Sequence, residues 1–146
     1  MTLALLLVDH GSRRAGANNL LRAIALRLDE RLRSQPATAP FAFCEHCHME
    51  LCEPSIAQGL ATCVERGATE VVVMPYFLAP GRHSRSDIPQ MTAEAAAAFP
   101  NLRFTVSPPL GLHDKIMDVV IERAVEGLER GLTTVDTPAP VSEASF

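Results

Sequence analysis

Two histidines in short polar turns are the residues of this chain best suited to chemistry. His10 lies in VDHGSR, where the glycine that follows allows a sharp turn and exposes the imidazole. His83 lies in PGRHSRSDIP, between a turn and a helix start. For either histidine taken alone, the simpler explanation is a solvated side chain or a helix cap. An imidazole can bind a divalent metal or accept a proton near neutral pH, so two that meet would suit metal chemistry.

A second set of candidate ligands lies in FCEHCHMELCEP, residues 43–54. Residues 41–48 are a strand candidate, and side chains alternate between two faces along a strand. One face is then predicted to carry Cys44, His46, His48 and Glu50, and the other Cys47 and Met49. Glu50 is the candidate carboxylate ligand for a metal, and His48 and His46 are additional candidates.

The cysteine spacing does not predict a closed metal site. Cys44, Cys47 and Cys52 lack the second pair that a zinc ribbon needs, and the strand alternation separates the first two. Cys63 fits the buried side of a helix, where a free thiol behaves as a small hydrophobe. A cluster shared between two chains stays open.

Hydrophobic periodicity predicts strands alternating with helices. Strands are predicted at 3–8, 41–48, 70–76 and 102–106, and helices at 18–32, 54–66, 87–98 and 112–130. Pro54 is expected in the first turn of the second helix, and Asp87 and Pro89 at the start of the third. The fourth helix is expected to turn Ile116, Val119, Val120 and Ala124 inward.

This alternation predicts an α/β fold, with a mainly parallel four-stranded sheet and helices on both faces in three layers, as in flavodoxin. Ligands of such sheets bind beyond the carboxyl ends of the strands. His10, Glu50 and His83 each follow a different predicted strand. We therefore expect all three at the same edge.

The composition indicates one globular domain, predicted at residues 1–131, with a loose tail at 132–146. Hydrophobic residues make up 47% of the 146 and charged residues 21%, as in ordinary domains. The net charge of -4 disfavours nucleic acid as a partner. No apolar run is long enough to cross a membrane, and no leader pattern is visible, so a cytoplasmic location is predicted.

The sequence resembles a known family in four successive segments. LLLVDHGSRR, HMELCEPSI, GATEVVVMPYFLAPGRHSRSDIP and PPLGLHDKI are similar to the signature segments of the sirohydrochlorin cobaltochelatases and ferrochelatases, the short, single-domain class II chelatases. The resemblance runs from about residue 3 to residue 121. It implies a chelatase-like fold and a lyase that inserts Co²⁺, Fe²⁺ or Ni²⁺ into sirohydrochlorin for cobalamin or siroheme synthesis, without an organic cofactor.

The resemblance also implies roles for particular residues. His10 and His83 match the histidines that bind the metal and act in its insertion, and Glu50 matches the glutamate that completes the site. The family further implies a homodimer, in which two short chains build one cleft. The chain departs from the family in residues 44–48, where apolar side chains usually precede the glutamate.

The chemistry is consistent with these residues. Two imidazoles and a carboxylate bind such cations while leaving coordination positions open, whereas four thiolates would retain the ion. Insertion releases two pyrrole protons, which a histidine can accept. The substrate carries many carboxylates, and the residues expected to bind them are Arg13, Arg82, Arg85, Ser12 and Ser84. Arg14 is expected on a solvated rim, and His113 in a structural role.

Two other functions stay open. The extra His and Cys residues favour a metal-storage or metal-delivery protein on a chelatase scaffold, and a tetrapyrrole carrier is the third reading. The HGSR and GRH segments favour the enzyme.

Overall fold

The computed structural model describes residues 1–79 and 84–131, without the side chains of residues 84–86. Within these ranges strands and helices alternate along the chain, as predicted. The strands are β1 (Leu3–Asp9), β2 (Phe43–His48), β3 (Glu70–Pro75) and β4 (Arg103–Val106). The helices are α1 (Ala15–Ser34), α2 (Ile56–Glu65), α3 (Ser84–Ala96) and α4 (Asp114–Glu129). No helix in these ranges is both long and apolar enough to cross a bilayer.

The strands form one parallel sheet in the order β2-β1-β3-β4. β1 is central and pairs Asp9 with His48 on one side and Val8 with Pro75 on the other. Its side chains are buried alternately on both faces, which explains why residues 3–8 are almost continuously apolar. The predicted α/β fold with a parallel sheet is confirmed.

The sheet separates two hydrophobic clusters. Leu6, Val73 and Cys47 belong to the cluster that includes α2 and α3, whereas Leu7 and Cys44 pack with α1 on the opposite face. The predicted alternation of Cys44 and Cys47 is therefore confirmed. Gly59 lets α2 approach the sheet closely, since a Cβ there would lie 2.8 Å from Cβ of Cys47.

All four helices begin two or three residues away from their predicted starts, and for α2 and α3 the predicted start residues take other positions. α2 begins after Ser55, whose hydroxyl accepts from the Gln58 amide while the Gln58 side chain accepts from the Ser55 amide. This capping box satisfies the first amides of the helix, so Pro54 precedes the cap instead of lying in the first turn. α3 begins at Ser84, three residues before Asp87, and includes Pro89.

The prediction that α4 packs inward is wrong for the isolated chain. Val119, Val120 and Ala124 are exposed and Ile116 is half-buried, so that α4 has no buried residue. The apolar residues of α4 do recur at helical spacing, but within the described residues no surface of the same chain covers its apolar side. Amphipathicity predicts that a helix packs, and does not identify the surface it packs against.

Candidate active site

His10 and Glu50 lie side by side where β1 and β2 end. The Met49 amide donates to the Asp9 carbonyl and the Glu50 amide donates to the His10 carbonyl, at 2.9 and 3.2 Å, so pairing continues past both strands. The side chains of His10 and Glu50 are both exposed. The His10 ring stacks on Phe77, which follows β3, with the ring centroids 4.5 Å apart. The edge of the sheet thus presents an imidazole and a carboxylate.

A glycine and a carboxylate hold the turn that carries His10. The Gly11 amide donates to Oδ1 of Asp9 at 3.0 Å. Gly11 has φ +85°, and a Cβ there would lie 1.9 Å from the carbonyl oxygen of Glu50. Only glycine fits here, because both the backbone angle and the close approach exclude a side chain. The turns bearing His10 and Glu50 are therefore in direct contact.

The unusual histidines of β2 lie on the α1 side of the sheet. His48 is only 1% exposed and its Nδ1 lies 2.5 Å from Oδ1 of Asp9, the same oxygen that binds Gly11. His46 is half-buried and meets the edge of the His48 ring, with centroids 5.7 Å apart. Burial lowers the pKa of His46, and the nearby His48 lowers it further. His48 thus joins the two turns, and its use as an extra metal ligand stays a prediction.

The hydrogen bonds of the HGSR loop fix its shape. Asn18 in the first turn of α1 accepts from the Ser12 amide and donates to the Ser12 carbonyl, at 3.0 and 2.6 Å. Oγ of Ser12 accepts from the Arg14 amide, so this hydroxyl stabilises the turn. The side chains of Arg13 and Arg14 are exposed at the amino end of α1. A helix amino end attracts anions, which suits a carboxylate-rich ligand.

The described part of the chain does not include the side chains of several predicted site residues. Arg82 and His83 lie outside the described residues, and Ser84 and Arg85 begin α3 without described side chains. Among the described side chains, no three of His, Cys, Asp or Glu converge closely enough to hold a metal ion. The meeting of His10 with His83 therefore stays a prediction. His113 caps α4 by accepting from the Lys115 amide, as its expected structural role requires.

The cysteines are free thiols, three of them buried. Burial raises the pKa of Cys44 and of Cys63 to about 12, and that of Cys47 well above its usual value. Buried thiols of this kind remain protonated and do not bind metals readily.

Sequence reasoning missed Asp9, Asn18 and Phe77, which all support the His10 loop. Asp9 directly precedes the candidate histidine, and an acidic residue at the end of an apolar strand was the available signal. The part played by Asn18 and Phe77 depends on contacts between separate elements, which spacing along the chain does not reveal.

Comparison with known proteins identifies the group to which this arrangement belongs. The family model described as CbiX matches residues 4–127, which is most of the chain. The chain belongs to the CbiX family. This membership agrees with the resemblance seen in the four sequence segments.

Curated relatives of this chain are named sirohydrochlorin ferrochelatases and cobaltochelatases. The chloroplastic sirohydrochlorin ferrochelatase of Arabidopsis thaliana is 42% identical over 82% of this chain and 50% of its own length. The sirohydrochlorin cobaltochelatase of Methanocaldococcus jannaschii is 30% identical over 83% of this chain and 96% of its own.

A solved structure shows the same fold. The sirohydrochlorin chelatase SirB of Bacillus subtilis subspecies spizizenii, in complex with cobalt, is 31% identical with a TM-score of 0.66, covering 86% of this chain and 51% of that one. This chain spans about half the length, or less, of the first curated relatives it matches.

Proposed function

We propose that this protein inserts a divalent metal, Co²⁺ or Fe²⁺ and also Ni²⁺, into sirohydrochlorin, as a lyase of cobalamin or siroheme synthesis. The observation that carries the proposal is the contact between the His10 and Glu50 turns at the carboxyl edge of the sheet. An exposed imidazole beside an exposed carboxylate is a donor set that such cations accept.

The proposed site residues have different roles in metal insertion. His10 and Glu50, together with His83, hold the dication through few ligands, so that four pyrrolic nitrogens can replace them. Each metal inserted displaces two protons from the macrocycle. A histidine at the site accepts a proton while it is not bound to the metal through the same nitrogen.

The substrate is held by cationic side chains around this edge. Arg13, Arg82 and Arg85, with Ser12 and Ser84, bind the carboxylates, while the amino end of α1 supplies further positive potential. No organic cofactor is required by this chemistry. The charge of the macrocycle therefore directs it to the edge where the metal is held.

Two copies of the chain are proposed to form the complete cleft. The chain spans about half the length of several relatives, and its edge presents one imidazole–carboxylate pair from the described residues. A facing second copy would close the cleft around the macrocycle. A cytoplasmic location stays a prediction, because the Arabidopsis relative is chloroplastic by name.

The test is to mix the protein with sirohydrochlorin and Co²⁺ and follow the absorption spectrum. We expect many turnovers per chain, and loss of insertion in His10→Ala and in His83→Ala with the fold retained, because loop residues contribute little to the core. His113→Asn is the matched control, since asparagine can also cap a helix. Wild-type rates in both His→Ala variants would refute the mechanism.

The same experiment separates the alternative functions. Stoichiometric metal uptake without spectral turnover would indicate the storage or delivery protein, which the histidine-rich β2 favours. A shifted pigment spectrum without metal would indicate a tetrapyrrole carrier.

A further inference from the structure

The exposed imidazole of His10 is held by stacking on an aromatic ring. Its centroid lies 4.5 Å from that of Phe77, and the two ring planes differ by 19°. The neighbouring carboxylate, Asp9, binds Gly11 and His48 and not the His10 ring. Metal-binding histidines are usually oriented by a hydrogen bond to the ring nitrogen that does not bind the metal. Here, among the described residues, the contact with an aromatic face takes the place of that bond.

Phe77 is itself fixed by the core and by the sheet. Its side chain is partly buried and packs against the hydrophobic cluster that includes α2 and α3. The Tyr76 amide donates to the Val8 carbonyl at 2.7 Å, so pairing with β1 continues to the residue before Phe77. The phenyl ring therefore contacts both the core and the imidazole.

The connection between β4 and α4 holds Phe77 from a third direction. The Leu110 amide donates to the Phe77 carbonyl at 3.0 Å, and the Gly111 amide donates to the Leu78 carbonyl at 2.8 Å. Residues 108–112 are the PPLGL part of the fourth family-like segment. They thus anchor the residue on which the candidate metal ligand stacks.

The plane of an imidazole decides where a metal can bind to it. The lone pair of a ring nitrogen lies in the plane of the ring, so the bound metal lies in that plane as well. An exposed histidine turns among several orientations about its two side-chain bonds. Stacking on Phe77 favours ring planes close to that of the phenyl group, because a strongly tilted imidazole loses the contact. The phenyl ring also has no atom that competes for the metal.

Transfer to a flat macrocycle depends on this orientation. The dication and the pyrrolic nitrogens must meet in one geometry, and a displacement of about 1 Å can cost roughly a hundredfold in rate. The backbone of His10 is already fixed, since its carbonyl accepts from the Glu50 amide. The orientation of the ring is the freedom that Phe77 removes.

We propose that Phe77 is a positioning residue for His10, which fixes the plane of the imidazole and thereby the place where the dication is held. Residues 110 and 111 keep Phe77 in its position. The inference rests on the proposed function, because it takes His10 as a metal ligand.

Three variants test this role by their affinity for Co²⁺, measured by absorption titration. Phe77→Leu keeps an apolar side chain against the core and removes the flat face, whereas Phe77→Tyr keeps the face. Phe104→Leu is the matched control, since Phe104 is partly buried against the same cluster but lies on β4, which β3 separates from β1. We expect Phe77→Leu to bind Co²⁺ at least about tenfold more weakly, as when other groups that orient a metal ligand are removed. The other two variants should bind it as the unaltered chain does, and equal weakening in Phe104→Leu would mean that Phe77 acts only through packing.

NMR measures the orientation of the ring directly. Protons above the face of an aromatic ring resonate upfield, so the ring protons of His10, assigned by their absence in His10→Ala, should lie upfield of those of a solvated histidine. They should move downfield in Phe77→Leu and stay in place in Phe104→Leu. An ordinary position in the unaltered chain would overturn the inference without any change at Phe77.

Insertion kinetics distinguish this inference from the proposed function. Phe77→Leu should lower kcat by at least about tenfold and leave KM for sirohydrochlorin unchanged, because no carboxylate contact is altered. If the unaltered protein inserts no metal, the proposed function fails, while Co²⁺ affinity and NMR still decide the role of Phe77. An active protein with the same Co²⁺ affinity and kcat in Phe77→Leu would overturn the inference and leave the proposed function intact.

Discussion

At the scale of single residues, Asp9 and His48 organise the candidate site by joining the two turns that carry His10 and Glu50. Oδ1 of Asp9 binds both the Gly11 amide and the buried ring of His48. These contacts join the end of β1 to the end of β2, where His10 and Glu50 emerge. The histidine that departs from the family pattern at residue 48 is thus explained by packing and by one short hydrogen bond.

We predict that His48→Phe slows metal insertion by at least about tenfold while the protein remains folded, because the ring still fills its space but no longer fixes Asp9. The change should appear in kcat more than in KM, since the arginines proposed to bind the substrate are unaffected. His48→Gln, which can donate to Asp9, should recover part of the rate. Steady-state kinetics measure both variants, and a wild-type kcat in His48→Phe would contradict a positioning role.

The thiols give a second prediction at this scale. Because Cys44, Cys47 and Cys63 are buried with raised pKa values, only Cys52 should react rapidly with a chromogenic disulfide reagent in the folded protein. All four should react after unfolding. Cys52→Ser should remove the rapid phase, and two or more rapid thiols would show that the described packing is wrong.

At the scale of elements, a buried carboxylate of α1 holds the edge strand β2. Oδ1 of Asp29 accepts from the Cys44 amide at 2.9 Å, and its carboxylate also meets Arg33 and Arg66. An edge strand has backbone amides with no neighbouring strand, and here a side chain satisfies one of them. Arg66, at the end of α2, also binds Glu45 of β2 at 2.7 Å.

We predict that Asp29→Ala lowers the free energy of unfolding by about 2–3 kcal/mol, because a buried amide loses its acceptor and Arg66 loses a counterion. Glu30→Ala is the matched control on the next, exposed position of the same helix, where the change should stay within about 0.5 kcal/mol. Urea unfolding measures both. Equal losses in the two variants would mean that Asp29 has no special role in holding β2.

At the scale of the whole molecule, the described residues leave two apolar surfaces uncovered: one side of α4, and a groove beside α1 that is lined by Leu5, Met74 and Tyr76. Association that covers them would link the stability of the fold to protein concentration. The two observations therefore support the proposal that pairing of two copies is part of folding as well as of cleft formation.

We predict that the thermal unfolding midpoint rises as protein concentration increases, because unfolding then includes dissociation. Val120→Asp should have a lower midpoint that is independent of concentration. Calorimetry over a wide concentration range checks this. A concentration-independent midpoint in the unaltered chain would mean that the folded unit is the monomer.

The sequence by itself determined the parallel α/β fold, because strand burial on both faces and amphipathic spacing are local patterns that the structure must satisfy. It also determined the order in which His10 and Glu50 follow their strands, and thus their shared edge. The ends of the elements were less predictable. The capping box of Ser55 and Gln58 starts α2 later than predicted, because a cap depends on side-chain hydrogen bonds and not on periodicity.

Only the tertiary structure decided which polar residues support the site and where apolar surface remains. The contacts of Asp9 with His48, and of His10 with Phe77, join residues that are far apart in the chain, and no spacing rule specifies them. The spacing in α4 predicted burial, yet within the described residues α4 has no buried side chain. Hydrophobic periodicity predicts that one side of a helix is buried, whereas the path of the chain determines which surface can bury it.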